Sequence, residues 1–293
     1  MHKYLRAIGF SKLKNRRQLN ELISIAVKNA DERLYTSLDQ ETLLAEYNLF
    51  CGKNMGICVR GEYDENNLFL MDYYFPFFKG AQISSYADIS VERHAEKESY
   101  AGICDDIKVG VSLIFYLQNI VGYLKRKHSD ELPILGTSLS LGALSTQGTI
   151  IMPILKNEQD VRRTRKMSND RNRLIAQARK GDEDAIENLT LDDMDTYTSI
   201  AKMIVKEDVL SLVDTYFMPY GVECDQYAVL GEILDVSKAK NPITKEEVWQ
   251  LTVDCNDLNM DICINSHDLY GEPAIGRRFK GSIWLQGTIH FPE

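Results

Sequence analysis

A chain of 293 residues, 44% hydrophobic and 26% charged, has the make-up of an ordinary folded protein and the length for about two domains with cores of their own. Its formal net charge of -9 weighs against a general affinity for nucleic acid or an anionic membrane, because both partners are gathered by positive surface. The six cysteines, at 51, 58, 104, 224, 255 and 263, show neither a CxxC pair nor metal-ligand spacing, and the first residues do not read as a signal peptide. Reduced thiols in the cytoplasm are the expectation, with no cofactor and no metal.

In chain order, Tyr4 to Phe10 is a short apolar piece open to either strand or helix. Asn15, with Gln18 three residues on, then caps a helix whose apolar stripe is Leu19, Leu22, Ile23, Ala26 and Val27. A weaker helix is expected within Asp39 to Tyr47. From Met55 to Tyr63 and from Leu68 to Phe77 the period is two, around the polar turn Asp64 to Asn67, which predicts a hairpin. The second of these strands is apolar on both faces and reads as central in its sheet. Ile83 to His94 suggests a further strand, and Ile134 to Ile154 two more around Gly148. Between them Val109 to Lys127 reads as a core helix, interrupted by Gln118 and Asn119 and shorter than the roughly 20 residues a bilayer requires.

These pieces predict an α+β domain over residues 1–155, an N-terminal antiparallel sheet with helices. A charged helical segment follows over 156–222. Residues 156–180 hold nine Lys/Arg against three Asp/Glu, and 182–208 hold nine Asp/Glu against two Lys. Gly181 ends one helix, Asp182 caps the next, and Thr190 with Asp193 resembles a capping box for a third.

The last unit, 223–293, predicts a small OB-like antiparallel β-barrel, with a flat sheet covered by the rest of the chain as the alternative. Its hairpin can be derived from spacing: Trp249, Leu251, Val253 and Cys255 alternate on one side of Asn256-Asp257, and Leu258, Met260, Ile262 and Ile264 on the other. A two-residue loop pairs Cys255 with Leu258, Val253 with Met260, Leu251 with Ile262 and Trp249 with Ile264. Val229 to Val236 precedes it as a strand. Arg277 to Lys280 and Ser282 to Phe291 close the unit, with Ile283, Leu285 and Ile289 facing one way and Trp284, Gln286 and His290 the other.

Three constellations could carry function. A thiol, an imidazole and a carboxylate at Cys104, His94 and Asp105 hold the parts of a nucleophile, a base and an orienting group, although no nucleophile signature surrounds the cysteine. The arginines from Arg162 to Arg173 could clamp phosphates and, with the barrel, hold a nucleic-acid strand; against this, residues 227–293 carry six Lys/Arg and ten Asp/Glu. The barrel's polar face offers Trp284, Gln286, Gln250 and His290 with Arg277 and Arg278 nearby, a residue set suited to a protein partner or to self-association, or equally to packing under the N-terminal domain, since alternation identifies a face and not what covers it. The favoured reading is a non-enzymatic binding or assembly protein acting through this face; the thiol enzyme and the nucleic-acid binder are the alternatives, and no membrane contact is expected.

Several strings are specific enough to compare: Tyr74-Phe-Pro-Phe77, Ser90-Val-Glu-Arg-His-Ala-Glu96, Tyr100-Ala-Gly-Ile-Cys-Asp-Asp106, Phe217-Met-Pro-Tyr-Gly-Val-Glu-Cys-Asp225, Gly271-Glu-Pro273, Gly276-Arg-Arg-Phe-Lys-Gly281 and Trp284-Leu-Gln-Gly287. Through them the chain resembles, nearly end to end, an uncharacterised family of bacterial proteins, a domain of unknown function. The resemblance implies a bacterial cytoplasmic protein and brings no reaction, cofactor or site residue with it.

Overall fold

The computed structural model describes residues 1–37, 42–93, 99–106, 112–129, 136–154, 170–191 except 172 and 179, and 213–292. The C-terminal hairpin forms in the register that its alternation predicts. Strands β11 (Glu247–Cys255) and β12 (Leu258–Asn265) pair Trp249 with Ile264, Leu251 with Ile262, Val253 with Met260 and Cys255 with Leu258. Asn256 and Asp257 take φ values of 57° and 62°, the left-handed conformations a primed two-residue turn demands.

This hairpin sits in a ten-stranded sheet. Its other members are β5 (Ile89–Arg93), β6 (Tyr100–Cys104), β7 (Leu113–Leu117), β8 (Ser138–Ile151), β9 (Tyr216–Pro219), β10 (Gln226–Lys240), β13 (Leu269–Tyr270) and β14 (Arg278–His290). β8 pairs in parallel with β12 and antiparallel with β14, while β12, β11, β10 and β14 pair in succession, so the hydrogen-bonded path through these five strands returns to its start. Leu141, Val229, Val253, Ile262 and Ile283, one from each strand, meet in a single apolar cluster. β8, read from sequence as part of the first unit, thus lies hydrogen-bonded between two strands of the last.

A second sheet runs in the order β1 (Glu32–Ser37), β2 (Leu43–Phe50), β3 (Met55–Tyr63) and β4 (Phe69–Phe78), antiparallel throughout. The helix α1 (Arg16–Lys28) packs on β2 and β3 through Leu19, Leu22 and Ala26, and the Asn15 side chain caps it by accepting from Gln18 N–H at 2.9 Å. A second core forms where this sheet and the 3-10 helix Lys3–Ile8 meet the ten-stranded sheet, and it takes in Tyr116, Leu144, Val248, Cys263 and Trp284. The polar face of the hairpin and of β14 is therefore an internal surface between two sheets.

Several segments depart from their sequence reading. The apolar stretch read as one core helix is β7 followed by α2 (Ile120–His128). Gln118 and Asn119 make the switch: Gln118 N–H donates to Gly287 C=O at 2.9 Å, and the Asn119 amide bonds the main chain of Ile289 on both sides, at 2.7 and 3.0 Å. An unbroken apolar run suits a buried strand as well as a helix, so periodicity could not choose. Residues 43–47, expected to be helical, belong to β2, where Glu46 and Asn48 are buried polar positions that blur its alternation; residues 38–41 lie outside the described ones.

β4 is an edge strand rather than a central one, with Leu70 and Met71 at 57% and 45% exposure. β8 runs unbroken through Gly148, where a Cβ would meet the Phe279 ring at 2.5 Å, so this glycine serves close approach and not a turn. β14 is likewise one strand; opposite Ser282 and Ile283 the bulge lies on β8, where Thr146 stands unpaired between Ser145 and Gln147.

In the middle segment residues 173–178 and 183–191 are helical, Gly181 takes φ 85°, and Asp182 accepts from Ala185 N–H at 3.1 Å, as the capping signals predict. Thr190 lies inside the second of these helices, donating to Ile186 C=O at 2.8 Å, and caps no third one there; Asp193 lies outside the described residues. Among the described residues the chain is mostly β with few helices, and no helix is long and apolar enough to cross a membrane.

Candidate functional site

Tyr4 is placed by its 3-10 helix so that its ring stacks on Trp284 of β14, centroids 5.3 Å apart, and His2 lies 4.9 Å from the same indole. Trp284 Nε1 donates to Asp225 Oδ2 at 2.7 Å, which fixes the indole's rotation, and on its far side the ring meets Tyr116 at 5.2 Å. His2 N–H donates to the Tyr74 hydroxyl at 3.0 Å and so ties the N-terminal segment to β4. With Tyr73 and Phe75 these side chains bring seven rings from four parts of the chain around an open cleft of about 970 Å³. Its rim is Val222, Glu223, Cys224 and Asp225; Lys3 lies beside it, its Nζ donating to Gln226 Oε1 at 3.2 Å and standing 4.9 Å from the centre of the Tyr4 ring.

Beneath the cleft lies a guanidinium. Arg60 is fully buried, and its Nε donates to Glu46 Oε2 at 2.7 Å. One terminal nitrogen reaches the hydroxyls of Tyr73 and Tyr116 at 2.9 and 3.3 Å, and the other the Gln118 carbonyl at 2.6 Å. The Phe75 ring stacks 4.7 Å from its carbon. Glu46 accepts in turn from Asn48, which reaches Glu32, and Glu32 pairs with Lys79 at the surface. This connected network holds two of the cleft's tyrosines by their hydroxyls. Burial pushes the Tyr73 and Tyr116 phenols up, Arg60 working against that effect, so both stay protonated, and the Tyr116 hydroxyl donates to that of Tyr73 at 3.4 Å.

Burial, reinforced by the positive charge of Lys3, lowers the His2 imidazole to about 4. The folded protein therefore resists a proton that the unfolded chain takes up below about 6.5, and stability falls as pH drops from 6.5 towards 4. Unfolding free energies from urea titrations at pH 7 and pH 4.5 should differ more for the parent than for His2→Gln, by about 1 to 3 kcal/mol. Equal differences would show that the imidazole has no part in acid sensitivity.

The residues singled out from sequence do not gather at one place. Trp284 lines the cleft yet is 5% exposed, an inward anchor instead of an outward contact. Gln286 is fully buried and cross-links the two sheets, accepting from Phe78 N–H and Gln118 Nε2 and donating to Pro76 C=O. Gln250 is buried and donates to Lys53 C=O at 2.7 Å. Arg278 is buried, donating to the carbonyls of Met152 and Val213. Arg277 is half-buried and donates to Glu272 C=O, while His290, exposed, meets the Ser140 hydroxyl at 2.8 Å. Alternation identified this face correctly but could not say that a second sheet covers it.

The thiol constellation fares differently. Cys104 is fully buried, its Sγ 3.6 Å from the Ser85 hydroxyl, and burial raises its pKa, which makes it a poor nucleophile. Asp105 turns to solvent and accepts from the Ser112 hydroxyl, while Asp106 takes the Ser85 hydroxyl at 2.6 Å. His94 and the arginines Arg162, Arg163 and Arg165 lie outside the described residues; Arg171 and Arg173 are described and exposed. Among the described residues no three His, Cys, Asp or Glu side chains gather as a metal site.

Sequence reasoning missed His2, Tyr4, Tyr73, Arg60 and Glu46. A lone arginine inside the apolar strand 55–63 was a signal for a buried partner, but Glu46 was hidden in a segment read as helix. No curated protein and no solved structure matches the chain. The model of the family described as "Domain of unknown function, E. rectale Gene description (DUF3881)" matches residues 5–287, nearly the whole chain, and the protein belongs to that family.

Proposed function

We propose that the protein is a non-enzymatic binding or assembly protein of the cytoplasm, and that its contact site is the aromatic cleft around Trp284. We read the closed path of β8, β12, β11, β10 and β14 as a small OB-like barrel that presents Trp284 on its outer face. The observation that carries the reading is the convergence of seven rings from four chain segments on a cleft that stays open, at about 970 Å³. Ligand sites are concave, mostly apolar and hold a few placed polar groups, with volumes of about 300–1,000 Å³. Glu223 and Asp225 on the rim, with a net charge of -9, favour a protein partner or a second copy over nucleic acid.

Trp284 is the natural reporter. In a Trp249→Phe background, the neutral naphthalene dye Prodan should take energy from Trp284, and capping Cys224 at the rim with a bulky maleimide should abolish the transfer. Absence of transfer, or transfer that survives capping, would remove the cleft as the contact site.

A further inference from the structure

Strand pairing turns part of the β4 main chain into this cleft. Across the β3–β4 ladder Met55 faces Phe78, Ile57 faces Pro76 and Val59 faces Tyr74. Pro76 has no N–H, and its carbonyl accepts from Gln286 Nε2 at 2.9 Å. Phe78 N–H donates to Gln286 Oε1 at 3.0 Å, and its carbonyl accepts from Gln118 Nε2 at 2.9 Å. These two residues direct their main-chain groups away from β3. The alternation of an antiparallel ladder turns the N–H and C=O of Tyr74, two residues earlier, the same way. Glutamine amides stand in for a neighbouring strand at 76 and 78, whereas Tyr74 forms cleft wall. Beyond it the ladder shifts register between Tyr73 and Met71, and Met71 and Leu70 are exposed.

We propose that this edge of β4 receives an extended segment of a partner protein as an added strand, with an apolar side chain laid on the ring floor and a basic residue set against Glu223 and Asp225. The inference rests on the cleft being the contact site. On β4 the N-terminal 3-10 helix packs at the cleft end, while Leu70 and Met71 stay exposed, and an edge strand with apolar side chains along it is a template for pairing. Charge selects the basic residue. The cleft already holds one cation of its own chain, Lys3, over the Tyr4 ring and beside Gln226, and the acidic rim offers a second the same surroundings.

The test is selection of phage-displayed random 12-residue peptides on the full chain, followed by titration of the enriched peptide. Enriched sequences should combine alternating apolar residues with Lys or Arg. Their binding should slow hydrogen exchange at the Tyr74 amide, and Glu223→Lys should weaken it about tenfold. A peptide that binds with Tyr74 exchange and the Glu223→Lys affinity both unchanged would overturn strand addition. So would a failure to enrich any peptide while Prodan still occupies the cleft, an outcome that leaves the cleft standing as a site for another ligand. If neither peptide nor dye binds, both readings fall together.

Discussion

Arg60→Met should lower the unfolding free energy by about 3 to 5 kcal/mol, measured by urea denaturation, because it leaves the Glu46 carboxylate buried without its charge partner. Glu46 is 3% exposed, and the hydrogen bond that remains to it, from Asn48 at 2.9 Å, cannot replace a guanidinium. The double variant Arg60→Met/Glu46→Leu should recover most of the loss, since a buried pair exchanged for apolar groups of similar volume is often neutral. A single variant as stable as the parent, or a double variant no better than the single, would contradict this account of the network. Arg60→Lys should fall between, for an ammonium cannot serve Glu46, two phenols and the Gln118 carbonyl at once in the planar geometry these four acceptors require. The cleft is tied to the same arginine: without it the Tyr73 and Tyr116 hydroxyls lose their donor, and Prodan binding should weaken alongside stability.

One thiol per folded chain should react promptly with Ellman's reagent, and it should be Cys224. It is exposed on the cleft rim, whereas Cys51, Cys58, Cys104, Cys255 and Cys263 are buried. Burial pushes Cys51 and Cys255 up to about 12 and raises the other three as well. A thiol titrating at about 12 carries roughly a thousandth of the thiolate of an ordinary one near neutral pH, and the thiolate is the nucleophile. Raising the pH towards 9 should speed the buried set little, while denaturant should release all six. Prompt reaction at Cys104 would restore the thiol-enzyme reading, and a Cys224→Ser variant with no fast thiol left would confirm the assignment.

The hairpin β11–β12 was legible from the sequence in full because its information is local. Two alternating apolar runs and a two-residue turn that accepts positive φ admit one register, and a slip by one residue would turn every apolar side chain to the wrong face. The Asn15 and Asp182 caps were legible for the same reason, each being a side chain reaching main chain three residues on. Family membership was also legible, since strings such as Tyr74-Phe-Pro-Phe77 and Trp284-Leu-Gln-Gly287 are specific without any structure.

What only the tertiary structure decided was what covers each face. The stretch 113–117 is a strand because β6 and β14 flank it, and the same apolar residues would have served a helix. Phe75 and Phe77 made β4 look central, yet they are buried by the sheet packed on them, and Leu70 at the free end shows the strand to be an edge. Gln286 and Gln250 read as outward polar residues. They are inward ones, because a main-chain carbonyl from another part of the chain awaits each of them. The cleft was beyond any local pattern, since His2, Tyr74, Tyr116 and Trp284 are joined only by the meeting of two sheets. Alternation states that a residue has a face; long-range packing determines whether that face meets water, a carbonyl or a ring.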